Sequence, residues 1–178
     1  VTWIADRTEH FLGDTHGRDN ITTARLALDR DGRFLALEVD TIADMGAYLS
    51  TYAPYIPYIG AGMLPGVYDI PTCFIRVRAA YTNTVPVDAY RGAGRPEASY
   101  VIERLVDAAA RATGIAPDVM RRRNFIRPEQ MPYKTATGKV YDTGDFDGQM
   151  SRALKLAGYA GFAARADETK NRGLLRGI

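Results

Sequence analysis

Hydrophobic and polar residues alternate strictly along two early stretches of the chain. In residues 21–29, Ala24, Leu26 and Leu28 fall on one face and Thr23, Arg25 and Ala27 on the other. In residues 34–44, Leu35, Leu37, Val39 and Thr41 alternate with Phe34, Ala36, Glu38, Asp40 and Ile42. A period of two marks half-buried strands. Between them, Asp29-Arg30-Asp31-Gly32 holds an Asp-Gly pair, which accepts the positive backbone angles of a tight reversal, so residues 21–44 are predicted to form a β-hairpin. Residues 72–81 repeat the alternation, with Cys73, Ile75, Val77 and Ala79 set against Phe74, Arg76, Arg78 and Ala80. Residues 1–6 read as a short strand. Asp6 with Glu9 three positions on reads as the capping box of a helical turn through Phe11 and Leu12.

The period then lengthens. In residues 96–113, Ala98, Val101, Ile102, Leu105, Ala109 and Ala112 recur at three- and four-residue steps, the stripe of an amphipathic helix. Pro96 suits its first position, Glu97 the positive end of its dipole, and Gly114 its stop. Shorter helices are predicted over residues 117–124 and 145–157, the latter capped by Asp145, with a weaker helical pattern through Tyr159, Phe162, Ala163 and Ala166. In residues 45–71, prolines and glycines confine helix to about 56–63. Residues 128–144 read as loop. Strands precede helices, so the fold class is α+β, an antiparallel or mixed sheet packed by helices.

Composition sets the limits. The 178 residues are 46% hydrophobic and 25% charged, an ordinary globular balance that excludes a disordered or collagen-like chain. Basic residues number 23 and acidic residues 21, and only Arg121-Arg122-Arg123 is a dense run, too little for a nucleic-acid footprint. That run reads as a solvated or carboxylate-paired helix face. No apolar stretch reaches the length of a membrane span. A single cysteine, Cys73, excludes an internal disulfide and a multi-cysteine metal site, and points to a reduced, cytoplasmic setting. Its place in an alternating strand reads as a structural thiol. The opening Val1-Thr2-Trp3-Ile4, without initiator Met or signal peptide, and the close at Gly177-Ile178 read as a piece of a longer chain.

Candidate chemistry concentrates in Ala89-Tyr90-Arg91-Gly92-Ala93-Gly94-Arg95-Pro96-Glu97. Two glycines and two arginines ahead of a strong helix offer free N–H groups, a helix dipole and planar guanidinium forks to an anion. An ordinary glycine turn with two solvated arginines explains the same spacing, and short glycine patterns often mislead. No Gly-Lys-Ser/Thr follows, and no Rossmann fingerprint is present. His10, His16 and Asp14 make too sparse a set for a metal centre and read as solvated. The tyrosines of residues 48–68 read as packed loop residues or as a pocket lining.

Taken together, these segments resemble the molybdenum-binding large subunits of the xanthine dehydrogenase, aldehyde oxidase and carbon monoxide dehydrogenase family. The 89–97 segment resembles its signature loop. Trp3 to Phe11 resembles its entry segment, Gly46-Ala47-Tyr48 its post-hairpin turn, Arg122-Arg123-Asn124-Phe125-Ile126 its helix end, and Leu175-Arg176-Gly177 its exit segment. The resemblance implies one partial cofactor-binding domain over residues 1–178 of a several-fold longer subunit. It implies molybdopterin cytosine dinucleotide with molybdenum, and hydroxylation of aldehydes or aromatic heterocycles with oxygen from water. It further implies iron–sulfur and flavin subunits or domains as partners, in a cytoplasmic homodimer of heterotrimers. Arg91 and Gly92 match positions against the molybdenum centre. Ala93 matches a substrate-facing position that carries phenylalanine in the animal oxidases. Gly92 stands where copper-dependent carbon monoxide dehydrogenases carry cysteine. The family's catalytic base falls downstream, so no catalytic residue and no protein metal ligand is expected among these 178. An anion- or phosphate-binding module, or a structural assembly domain without redox chemistry, stays open as the alternative.

Overall fold

The computed structural model describes all 178 residues. A helical turn, α1 (Arg7–Gly13), precedes a three-stranded sheet of β1 (Asn20–Leu28), β2 (Phe34–Asp44) and β3 (Thr72–Ala80). Asp6 and Glu9 close the predicted capping box on α1. Residues 1–6, expected as a strand, join no sheet and lie almost wholly exposed.

β1 and β2 form the antiparallel hairpin, and β3 lies parallel to β2 on its other side, so the sheet is mixed. A parallel neighbour requires a crossover. Residues 45–71 make it, with α2 (Tyr55–Ala61) on the way. The hairpin register slips between Ala27 and Leu28. That bulge turns Phe34 inward (3% exposed) and Leu35 outward (46%), the reverse of simple alternation at this end. From Leu37 onward the predicted face holds, and Leu37, Val39 and Thr41 are buried.

The long helix α3 (Arg95–Thr113) lies on the inner face of the sheet. Its buried stripe is Ala98, Ile102, Val106, Ala109 and Ala110. Val106 and Ala110 join the stripe, the predicted Val101 and Leu105 pack against it partly buried, and Ala112 is exposed, because the helix rolls slightly to meet Phe34, Leu37 and Val39. Helix α4 (Pro117–Asn124) follows, with Met120 and Asn124 buried. The Asn124 side chain donates to the carbonyls of Gly32 and Met120, both at 2.9 Å, and accepts from the Phe34 N–H at 2.8 Å. It thereby ties the hairpin turn to α4. Arg121 bonds Glu103 and Asp107 on α3, and Arg122 pairs with Asp147, so two residues of the arginine run form a carboxylate-paired face.

An aromatic row continues the core outward. Phe34 meets Tyr68 edge-on, Tyr68 stacks on Phe125, and Phe125 meets Phe146 of α5 (Phe146–Leu156). The Tyr68 hydroxyl donates to Glu103 at 2.7 Å. Burial, then the neighbouring Glu103 charge, raises its pKa far above the usual tyrosine value. The stretch expected as loop carries a 3₁₀ turn at Pro128–Gln130 and a two-residue ladder of β4 (Tyr133–Lys134) with β5 (Val140–Tyr141). Asp145 caps α5 through the Gly148 N–H, and α6 (Phe162–Asn171) ends the order. No helix is long and apolar enough to cross a membrane.

The exposed surface is 11769 Å². A self-contained monomer of 19.6 kDa exposes about 8,600 Å² by the surface–mass scaling of folded chains. The difference, roughly 3,000 Å² on that scaling, is surface a compact monomer would cover.

Candidate functional site

The loop ahead of α3 is built from two consecutive turns. The Ala93 N–H donates to the Tyr90 carbonyl at 2.9 Å, and the Arg95 N–H to the Gly92 carbonyl at 3.1 Å. Gly92, Ala93 and Gly94 all hold positive φ, at 95°, 34° and 88°. α3 begins at Arg95, one residue before the predicted start.

What requires the two glycines is the chain itself. A Cβ on Gly94 would stand 2.2 Å from the Ile56 carbonyl oxygen and 2.8 Å from the Gly60 nitrogen, both backbone atoms of α2. Gly60 in turn faces the Gly94 carbonyl at 2.8 Å from its own hypothetical Cβ. The loop and α2 therefore pack backbone on backbone. A Cβ on Gly92 would stand 2.8 Å from the Pro96 ring. The glycines are explained by these contacts and by their φ angles, without a ligand.

The donors are not so explained. The N–H groups of Gly92, Gly94 and Glu97 donate to nothing in the chain, and α3 has no side-chain cap. Arg91 is exposed and has no acidic partner. Arg95 reaches back to the Gly92 carbonyl at 3.4 Å. Unpaired N–H donors beside a free guanidinium form a donor set suited to an anionic group bearing phosphate or oxo oxygens. On that chemistry the residues present fit an anionic cofactor such as molybdopterin.

Arg18, 73 positions earlier in the chain, joins the site. It donates to the Arg91 carbonyl at 2.7 Å, and its guanidinium lies 5.0 Å from the Tyr90 ring centre. Its Nε lies 3.1 Å from Glu97 Oε1, an ion pair without a hydrogen bond. Both enclosed Glu97 oxygens consequently accept none. Behind the loop, a cavity of about 30 Å³ is lined by Thr22, Thr41, Gly60, Gly94 and Glu97. That is room for one water among polar groups. It shares Asn20, Thr22 and Glu97 with an open cleft of about 320 Å³ walled by Arg18 and Tyr100.

Other sequence-stretch candidates separate from the loop. His10 pairs with Asp14 on the exposed α1. His16, expected to be solvated, instead bridges to Val87 and encloses an unpartnered Nε2. Tyr68 is packed, whereas Tyr48, Tyr52, Tyr55 and Tyr58 are exposed, so packing describes only one of these tyrosines. Cys73 is half-buried beside the core, and burial pushes its thiol pKa up. It sits four residues before Val77, which lines the cleft flanking α2 and the cavity behind Gly94, about 13 Å along a strand. Arg18 and the buried carboxylate of Glu97 were not legible as site residues. Arg18 lies in a polar Gly-Arg-Asp loop without period, and only the tertiary fold brings it to residue 91.

Residues 1–125 match the family described as the molybdopterin cofactor-binding domain. The chain belongs to this family. It is 37% identical over 177 residues to the carbon monoxide dehydrogenase large chain of Hydrogenophaga pseudoflava, covering 97% of this chain and 22% of that one. It is 32% identical over 165 residues to the gamma subunit of the 6-hydroxypseudooxynicotine dehydrogenase complex of Paenarthrobacter nicotinovorans, covering 90% and 21%. Among solved structures, quinoline 2-oxidoreductase from Pseudomonas putida 86 superposes with a TM-score of 0.88 at 36% identity, over 96% of this chain and 22% of that one. A Cu,Mo-CO dehydrogenase superposes with 0.83 at 32% identity. The chain thus spans about a fifth of the length of these relatives. The mixed α+β fold and the molybdopterin family both agree with the reading of the sequence.

Proposed function

We propose that the chain supplies part of the cofactor cradle of a molybdenum hydroxylase large subunit. Such an oxidoreductase subunit hydroxylates aldehydes or aromatic heterocycles with oxygen from water. The observation that carries this reading is the donor set at residues 91–97, unpaired within the chain, in a domain of the molybdopterin-binding family. Arg91 and Gly92 lie against the cofactor in this reading, and Ala93 faces the substrate. When bound, molybdopterin cytosine dinucleotide supplies two-electron redox chemistry at molybdenum.

The chain's own residues bind and orient. The Arg91 guanidinium offsets anionic charge and presents paired donors. The Gly92 N–H adds a fixed donor, which costs no reorganisation when the anion arrives. Ala93 offers a methyl group and no aromatic face, so a flat substrate is stacked by residues other than this one. Gly92 has no sulfur for a soft Cu(I), and this chain's lone thiol stands on β3 in the core margin, which supports an aldehyde or heterocycle rather than carbon monoxide as the substrate.

The surface in excess of a compact monomer supports a domain that folds against the rest of a larger subunit. Its proposed partners are iron–sulfur and flavin subunits or domains in a cytoplasmic homodimer of heterotrimers. The 178-residue chain alone is expected to be inactive. The test is dye reduction by the full-length gene product, purified with its partners, on aldehydes, N-heterocycles and carbon monoxide. Turnover of an aldehyde or heterocycle alone supports the reading. Robust reduction under carbon monoxide, with copper present and lost on Cys73→Ala, overturns it.

A further inference from the structure

We propose that Arg18 is the positioning residue of the loop: it locks the turn over residues 90–93 so that the Gly92 N–H points outward. The Ala93-to-Tyr90 hydrogen bond with Gly92 at φ 95° makes this a type II turn, with glycine in the position that needs positive φ. Types I and II differ by a flip of the central peptide, here the one joining Arg91 to Gly92. In a trans peptide the carbonyl and the N–H point in opposite directions. Arg18 holds the Arg91 carbonyl at 2.7 Å and so directs the Gly92 N–H away from itself.

Arg18 is itself held on several sides. Its guanidinium lies over Tyr90, the first residue of the turn, and beside Glu97 in the first turn of α3. Its backbone sits at φ 58°, a left-handed conformation that a non-glycine residue keeps only where its surroundings impose it. His16 exchanges backbone bonds with Pro86 and Asp88, at 3.1 and 2.9 Å. A Cβ on the neighbouring Gly17 would stand 2.8 Å from Tyr90 Cβ. The residues before Arg18 are therefore laced to the segment that enters the loop. A lysine carries one compact ammonium and cannot stack on Tyr90 while reaching both the carbonyl and the carboxylate.

What the outward N–H serves rests on the cofactor reading above; the lock itself does not. The test compares wild type, Arg18→Gln and Arg18→Lys in the full-length gene product with its partners. Hydrogen exchange is followed in peptides covering residues 89–97 and 102–113, and molybdenum and pterin are assayed in each sample. Loss of one charge-assisted bond should speed exchange in 89–97 of Arg18→Gln about tenfold, and leave 102–113 unchanged. Arg18→Lys, which keeps the charge, should restore only part of the protection. Molybdenum content should fall in the same order. Unchanged exchange in 89–97 of a folded variant overturns the lock. A loosened loop with full molybdenum content overturns its role toward the cofactor. A wild type without molybdenum overturns the cofactor reading instead, and the exchange comparison then decides the lock alone.

Discussion

Gly94→Ala and Gly114→Ala place the same methyl group on two left-handed glycines of α3, one at each end. Gly94 has φ 88° and Gly114 φ 72°, so both pay a left-handed penalty of about 1–2 kcal/mol, reduced by the stiffer unfolded chain. At Gly114 nothing lies within 4 Å of the new Cβ, and the net cost should be about 1 kcal/mol. At Gly94 the Cβ meets the Ile56 carbonyl oxygen at 2.2 Å and Gly60 backbone at 2.8 Å. No side chain can swing aside there, so the loop or α2 must move by roughly 1 Å, adding about 1–3 kcal/mol of overpacking. The expected total for Gly94→Ala is therefore about 2–4 kcal/mol, some 1–3 above Gly114→Ala on the same reckoning. Urea denaturation followed by far-UV circular dichroism measures it. Fluorescence is a poor probe because Trp3 is 77% exposed. Equal losses for the two variants, with unchanged m-values, would refute backbone-on-backbone packing as the reason for Gly94.

Asn124→Leu strands the Phe34 N–H and the Gly32 carbonyl in the core and should cost about 3 kcal/mol or more, read from the same denaturation curves. Asp145→Ala removes the α5 cap and should cost about 1 kcal/mol, with the extra hydrogen exchange confined to the first turn of that helix. Burial opposes ionisation of Asp44, but the Gly46 N–H and the Thr82 and Thr84 hydroxyls outweigh it and hold the carboxyl below 3.8. A lowered folded-state pKa gives stability that is present above the unfolded value and lost as pH falls through the folded one. Acid unfolding below about pH 4 should accordingly be steeper in wild type than in Asp44→Asn, and parallel curves would contradict this network.

The hairpin, β3, α3, α4 and α5 were legible because each writes its period over many residues and is bounded by turn or capping chemistry. The pairing of β3 was not legible: alternation states which face is buried and says nothing of the partner's direction. The inward Phe34 escaped because a bulge breaks the period that would have placed it. Val1 to Asp6 looked like a strand because the residues favour one, yet no neighbouring strand is there to pair with it. In the site, the loop and the start of α3 could be read from Gly-Pro punctuation. Arg18 could not, since a lone arginine in a polar loop carries no sign of a contact 73 positions away. Local pattern therefore located the loop, and long-range contacts decide how its peptides are oriented.

We propose that the residue 91–97 donors serve a molybdopterin site. Molybdenum by plasma mass spectrometry and pterin by fluorescence, on the full-length gene product as wild type and Arg91→Met, test it most directly. Arg91 is exposed and makes no ion pair with any acidic side chain, so its loss should leave the fold intact by circular dichroism. Wild type should hold molybdenum and pterin in equal amounts and Arg91→Met several-fold less of both, since a charge-assisted anion contact contributes about 1.5–3 kcal/mol. A wild type free of both, or an Arg91→Met protein fully loaded with both, would contradict it.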